Sequence, residues 1–278
     1  MKVLLFGASG CFGTEIINIV SKKKKVKLIY YSSTKLNILD YKNLNKKIKL
    51  IRPGVIINSS AVVGINQCEI NYDKAFAVNT IGALNLAKIC AKLNIILVQT
   101  STHAVFDGKQ ARSYNEDDTP RPNNVYSGTK YLAEVYVASI CKSYYILRFP
   151  TLYGQRNNKL KGFVDKIIDK LKLNKILKIA KDKIDSPTYA RDAAATLFFI
   201  LENKKKFGIY HLANEGKVSY LKFVKEIKKI LKSNSKIIPV KDNIFLSLGF
   251  KPLKTSLKSK KIKLRKWNIA LREYLEIV

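Results

Sequence analysis

Residues 125–134 read VYSGTKYLAE. Tyr126 and Lys130 stand four apart at the expected start of a helix, so their side chains share one face. A phenol with an ordinary pKa near ~10 neither gives nor takes a proton readily at neutral pH. An ammonium one turn away lowers that pKa and makes the phenol usable as an acid or base. The same spacing also describes two amphipathic side chains on a wet helix face, and this chain is rich in both residue types. Three hydroxyl residues, Thr100, Ser101 and Thr102, end the run that precedes this helix. A hydroxyl, a phenol and a lysine that meet there suit hydride chemistry at a ketone. Thr102 would hold the carbonyl oxygen, Tyr126 would supply the proton, and Lys130 would lower the phenol's pKa.

Such a trio needs a scaffold that brings strand ends together. KVLLF (2–6) is an apolar run suited to a buried parallel strand. GASGCFG follows, then TEIINIV with helical spacing. Further strands are expected at 26–31, 53–61, 95–101 and 144–149, with helices at 41–50, 72–93 and 126–141. This alternation predicts an α/β, Rossmann-type doubly wound parallel sheet. After about residue 155 the rhythm loosens, with helical stretches at 163–173, 191–203 and 219–231 among short strands such as KILKIA and GIYHLA. A dinucleotide-binding domain over 1–155 is expected, with a smaller C-terminal lobe, mainly for substrate, over 156–278. Some later segments could return to the first domain.

Gly7, Gly10 and Gly13 form G-x-x-G-x-x-G between the first strand and first helix. Backbone without Cβ can approach a pyrophosphate there, and the helix start offers free N–H groups and a positive dipole end. An ordinary tight turn is the plain alternative. The second strand ends YYSSTK without the acidic residue that would hold the ribose hydroxyls of NAD. Ser32, Ser33 and Lys35 could contact a 2′-phosphate instead, which tilts the reading toward NADP(H) over NAD(H). Asp40 is placed either at the adenine or as the N-cap of the next helix.

The net charge is +32. Eight of the 52 basic residues are Arg, and the Lys is spread evenly along the chain. Readers of base edges and phosphates favour Arg for its bidentate fork, so compositional bias is preferred to nucleic-acid binding. No stretch reaches the ~18–20 apolar residues of a membrane span. The N-terminus reads as a strand rather than a signal peptide, so a cytoplasmic enzyme is expected. The four cysteines form no C-x-x-C pair and the two histidines are far apart, so no metal site is expected.

With these motifs in order, the chain resembles the extended short-chain dehydrogenase/reductases, and within them the dTDP-4-dehydrorhamnose reductase family. The matching stretches are GASGCFG (7–13), INSSA (57–61), AFAVNTIGALNLA (75–87), STHAVFDG (101–108), YNEDDTPRPNN (114–124), VYSGTKYLAE, LRFPTLYG (147–154), DSPTYARDAA (185–194), GIYHLANEG (208–216) and VSYLKFVKEI (218–227). They cover nearly the whole chain. The resemblance implies NAD(P)H-dependent reduction of a nucleotide-linked 4-keto-6-deoxy sugar, in the synthesis of surface polysaccharide or glycan precursors. It implies Thr102, Tyr126 and Lys130 as the catalytic three, with Lys130 also on the nicotinamide ribose. It places Gly7, Ser9, Gly10, Cys11, Phe12, Gly13, Ser60, Ala61, Asn79 and Thr100 at the cofactor. A homodimer is left open. A related epimerase, which consumes no net reductant, and a non-catalytic dinucleotide-binding regulatory subunit are the alternatives.

The departures from the family pattern gather near the sugar. The family reads S-T-D-Y-V-F-D-G where this chain has STHAVFDG, so His103 replaces an acid and Ala104 an aromatic. Thr151 stands where R-x-x-W-x-Y-G has tryptophan. With Val62, these are the expected substrate contacts. His103 reads as a sugar ligand, a packed loop residue or a second proton-transfer group. Arg148 is expected to pair with a carboxylate under the site, Arg191 and Asp192 to begin a helix at a hinge, and His211 to be structural. Cys11 sits where a thiolate would be favoured, although a small residue beside the cofactor is the simpler reading. Lys258 stands where the family has an acid, so no site role is carried to that segment.

Overall fold

The structure is a computed structural model and describes residues 1–157 and 160–278. The elements run β1 (Lys2–Phe6), α1 (Cys11–Val20), β2 (Lys27–Tyr30), α2 (Tyr41–Ile51), β3 (Val55–Asn58), α3 (Ile65–Ile70), α4 (Tyr72–Phe76), a π-turn (Ala77–Ile81), α5 (Gly82–Leu93), β4 (Ile96–Thr102), α6 (Val125–Ile140), β5 (Tyr144–Phe149) and β6 (Leu152–Tyr153). There follow α7 (Phe163–Lys172), β7 (Leu177–Ala180), β8 (Ile184–Asp185), β9 (Thr188–Tyr189), α8 (Ala190–Glu202), β10 (Gly208–His211), β11 (Val218–Ser219), α9 (Tyr220–Ile230), β12 (Ile237–Val240) and α10 (Trp267–Leu275).

Six strands form one parallel sheet in the order β10-β5-β4-β3-β1-β2. The chain steps outward from β1 to β2, then reverses to β3. The switch point therefore lies between β1 and β3, where such sheets open a crevice. Apolar residues coat both faces. Val3, Leu5, Ile57, Val98 and Leu147 pack against α1 and α8 on one side. Leu4, Ile56, Leu97 and Ile146 pack against α2 and α5 on the other. Each such buried aliphatic side chain contributes roughly 1.5–3 kcal/mol of transfer free energy, which is why these runs read as strands at all.

Residues 190–211, which carry α8 and β10, return to this layer. The smaller lobe is built from the pairs β12–β7, β11–β8 and β6–β9, with α7, α9 and α10 packed around Tyr153, Tyr189 and Phe223. The segment near 254–266 then runs back across the molecule. It bridges Ile184 through Lys254, Tyr114 through Leu257, and Glu215 through Lys266.

One expected element differs. The helix predicted over 72–93 is broken by the π-turn. The cause lies in Asn79, which is buried and turned toward the loop after β3. Its Oδ1 accepts the Val62 N–H at 2.8 Å, and its Nδ2 donates to the Val62 carbonyl at 3.0 Å and to Thr129 Oγ1 at 3.1 Å. The wider turn suits that orientation, and π-turns of this kind recur at functional sites. Helix α3, strand β12 and helix α10 were not foreseen from the sequence pattern.

Candidate active site

The glycine turn leads from β1 into α1. Gly7 has φ +79, and a Cβ there would lie 2.4 Å from the Ser59 backbone; one at Gly13 would lie 2.3 Å from the Gly7 carbonyl oxygen. Packing alone therefore requires those two glycines. Gly10 is different. A Cβ there would meet only the Gly7 oxygen, at 3.6 Å, and its φ of −75° suits any residue. The fold does not need that bare surface, which leaves room for a group lying against the turn. No side chain caps α1, so its positive end faces the same space. Ser9 is exposed beside it, and Phe12 is buried against Phe149 at 4.7 Å. These features fit a dinucleotide pyrophosphate.

The remaining cofactor candidates divide. Ser60 and Ala61 line the partly exposed loop after β3, where the Ser60 N–H donates to Asn58 Oδ1. Thr100 and Asn79 are buried under the strand ends. Ser32, Ser33 and Lys35 are exposed past the end of β2. Asp40 is the N-cap of α2, its Oδ1 accepting the Asn43 N–H at 3.1 Å, which is the plainer of its two readings. Cys11 is buried, and its thiol is pushed up to about 12, chiefly by burial. Burial therefore disfavours a thiolate at that helix start.

Helix α6 carries Tyr126 and Lys130, the expected proton-transfer pair. It starts after Pro122 with a capping box, in which Asn124 Oδ1 accepts the Ser127 N–H and Ser127 Oγ accepts the Asn124 N–H. This fixes the helix start, and with it the aim of Tyr126. The phenol lies beside Thr102 at the end of β4, whose side chain works to lower its pKa. Lys130 is buried, and its Nζ donates to the Thr100 carbonyl at 2.6 Å. The structure thus brings Thr102, Tyr126 and Lys130 to one strand end.

The electrostatics correct one expectation. Lys130 was expected to depress the Tyr126 pKa. Instead, burial pushes Tyr126 up to about 12, partly offset by the Thr102 side chain. The ammonium is drawn onto Thr100 rather than onto the phenol. Burial also lowers Lys130 to about 8, while Glu134 one turn further on works to raise it. At pH 7 Tyr126 is therefore a neutral phenol and Lys130 a cation. That is the protonation state needed to give a proton to a developing alkoxide.

The carboxylate expected under the site is Glu134, from the same VYSGTKYLAE stretch. Arg148 clamps it, with Nη2 to Oε2 at 2.6 Å and Nε to Oε1 at 3.0 Å, and both residues are buried. Ser101 Oγ donates to the same carboxylate. His211 lies behind Arg148, buried and neutral, its pKa lowered to about 4 chiefly by burial. Its backbone N–H donates to Glu116. Asp192, in the first turn of α8, pairs with Arg265, while Arg191 reaches Glu273.

The expected sugar contacts sit just after the ends of β3, β4 and β5. Val62 is held by Asn79, and Ala104 is buried with its N–H on Thr102 Oγ1. His103 and Thr151 converge on a residue the sequence reading missed. Asp185, fully buried on β8, accepts from His103 Nδ1 at 3.0 Å and from the Thr151 N–H at 2.9 Å. Thr151 Oγ1 meets the Tyr220 hydroxyl at 2.8 Å. No short-range pattern marks Asp185, because its partners lie 34 and 82 residues away. Among the described residues there is no cluster of acids, histidines and cysteines that could hold a metal, and no helix is long and apolar enough to cross a membrane.

Comparison with known proteins places this geometry. The spore coat polysaccharide biosynthesis protein SpsK of Bacillus subtilis is 29% identical over 99% of this chain and 97% of its own length. A dTDP-4-dehydrorhamnose reductase from Clostridium acetobutylicum superposes with a TM-score of 0.93 at 30% identity, covering 100% of this chain and 99% of that one. The enzyme of that name from Bacillus anthracis, solved in complex with NADP, also gives 0.93, at 26% identity and the same coverage. The family model described as the RmlD substrate binding domain matches residues 1–278, and the chain belongs to that family.

Proposed function

We propose that this protein is an NAD(P)H-dependent reductase of a nucleotide-linked 4-keto-6-deoxy sugar, acting in the synthesis of surface polysaccharide or glycan precursors. The observation that carries this reading is the meeting of Thr102, Tyr126 and Lys130, the last fixed on the Thr100 carbonyl, at the mouth of a sheet whose glycine turn fits a pyrophosphate. The names of the relatives with this fold and these motifs point the same way.

In this mechanism the bound nicotinamide supplies hydride to the sugar's carbonyl carbon. Thr102 holds the carbonyl oxygen and Tyr126 gives it the proton. Lys130, fixed on Thr100, keeps positive charge beside the developing oxyanion and reaches the nicotinamide ribose. The turn at Gly10 and the start of α1 take the pyrophosphate, while Ser60, Ala61 and the Asn79-held loop border the rest of the dinucleotide. Ser32, Ser33 and Lys35, with no acid near them at the end of β2, support NADP(H) as the preferred form. Val62, His103, Ala104 and Thr151 face the sugar. Four free, buried cysteines support a cytoplasmic site of action. Exposed Leu132 and Val135 on α6, with Tyr72 and Phe76 on α4, support a homodimer through that face.

The test is oxidation of NADPH and NADH, followed by loss of nicotinamide absorbance, with a panel of nucleotide-linked 4-keto-6-deoxy sugars. Turnover that Tyr126→Phe abolishes is expected. Dinucleotide binding without turnover on any sugar would instead favour an epimerase or a regulatory subunit.

A further inference from the structure

The departures from the family pattern do not scatter. His103 and Thr151, two of the four, meet at the buried carboxylate of Asp185. That carboxylate also accepts the Ser186 N–H at 2.8 Å. Burial alone would raise its pKa, but His103 and these hydrogen bonds outweigh it and hold the carboxylate below its ordinary range. It is ionised, and so it only accepts hydrogen bonds.

This fixes the imidazole. Nδ1 must carry the proton that Asp185 receives, with Thr255 Oγ1 also 3.0 Å from the same nitrogen. An imidazole whose single proton is on Nδ1 therefore presents a bare Nε2, an acceptor. Among the described residues Nε2 has no hydrogen-bond partner, and the side chain keeps 16% of its surface open. His103 directly follows Thr102, the residue that holds the carbonyl oxygen. A hydroxyl on the carbon next to the carbonyl is a donor of the kind such an acceptor takes.

We propose that the Asp185–His103 pair is a specificity device, in which Asp185 fixes the imidazole so that Nε2 accepts a hydrogen bond from the sugar hydroxyl adjacent to the carbonyl. His103 is the specificity-determining residue, and Asp185 is a positioning residue acting through it. The inference rests on the reductase reading for its substrate, but the tautomer can be measured without turnover. A carboxylate behind an imidazole sets tautomer and ring orientation in other proton-handling sites for the same physical reason.

Two measurements test it on the intact protein. The chain has only two histidines, so nitrogen NMR of uniformly 15N-labelled protein reads both tautomers directly. The proton is expected on Nδ1 of His103; a proton on Nε2 instead would overturn the proposal whether or not the enzyme turns over. The second measurement compares kcat and KM for the dTDP-4-keto-6-deoxy sugar and its 3-deoxy analogue. Wild type is expected to prefer the hydroxylated sugar by roughly tenfold or more in kcat/KM. His103→Ala should abolish that preference, mainly through the KM for the hydroxylated sugar. Asp185→Asn should lose the same preference, because its amide presents a donor where the carboxylate accepted. Active variants that keep wild-type selectivity would overturn the proposal. A wild type that reduces none of the sugars would overturn the reductase reading, and with it the substrate assigned here.

Discussion

The floor of the site and its sugar wall are built in opposite ways. The floor consists of Gly7, Gly10 and Gly13 in one seven-residue turn, Thr102 at the end of a strand, and Tyr126 and Lys130 one turn apart on a capped helix. Local geometry dictates each placement. The wall consists of His103, Thr151, Asp185, Tyr220 and Thr255, which meet only through contacts across 34 to 152 residues. On the proposed function the floor serves hydride and proton transfer, which any sugar ketone needs. The wall would then serve whatever distinguishes one sugar from another. A chain can therefore alter its wall while leaving its floor intact, as the replacements at His103, Ala104 and Thr151 indicate.

The comparison is sharpened first by Tyr126→Phe. Loss of the proton donor should lower kcat by roughly 10²–10⁴-fold, with NADPH binding little changed. A variant that retained most of its turnover would place the proton donor on the wall instead. Next come the glycines. Gly13→Ala must displace backbone, and should lower the thermal midpoint and remove dinucleotide binding together. Gly10→Ala should fold normally and weaken NADPH binding by about tenfold or more. Equal loss of stability in both would mean that packing alone explains the turn.

The pH profile probes the floor from another side. Lys130 is a cation below about 8 and loses its charge as pH rises through that value. Reductive kcat/KM should be level at lower pH and then fall by up to tenfold per unit above about 8. A flat profile to pH ~10 would show that the ammonium contributes nothing to the rate. The smallest effect is expected at the far end of the dinucleotide. Lys35 is exposed, so Lys35→Ala should reduce the preference for NADPH over NADH by only about three- to fivefold, more at low salt than at high. Unchanged Kd values for both dinucleotides would remove Lys35 from the cofactor site.

What the sequence made legible follows the same division. The strands of the parallel sheet read as apolar runs because both of their faces are buried. The pair on α6 read as chemistry because a helix repeats every turn. The π-turn did not, because the Asn79 hydrogen bonds that favour it reach 17 and 50 residues along the chain. Asp185 did not either, since nothing in DSPTYARD separates a buried anchor for His103 from a turn acid. The direction of the Tyr126 pKa shift was also missed. Spacing places Lys130 on the right face but does not say that its ammonium turns to Thr100.

The segment that crosses back near residues 254–266 has a consequence for how the enzyme is made. Its bridges to Tyr114, Ile184 and Glu215, and the contact of Thr255 with His103, draw on the last tenth of the chain. Synthesis proceeds from the N-terminus, and earlier parts can fold as they emerge. The glycine turn, α6 and the proton-transfer trio are complete while that segment is still inside the ribosome. The nascent chain thus acquires the residues proposed for reduction before it acquires the surface proposed to choose what to reduce.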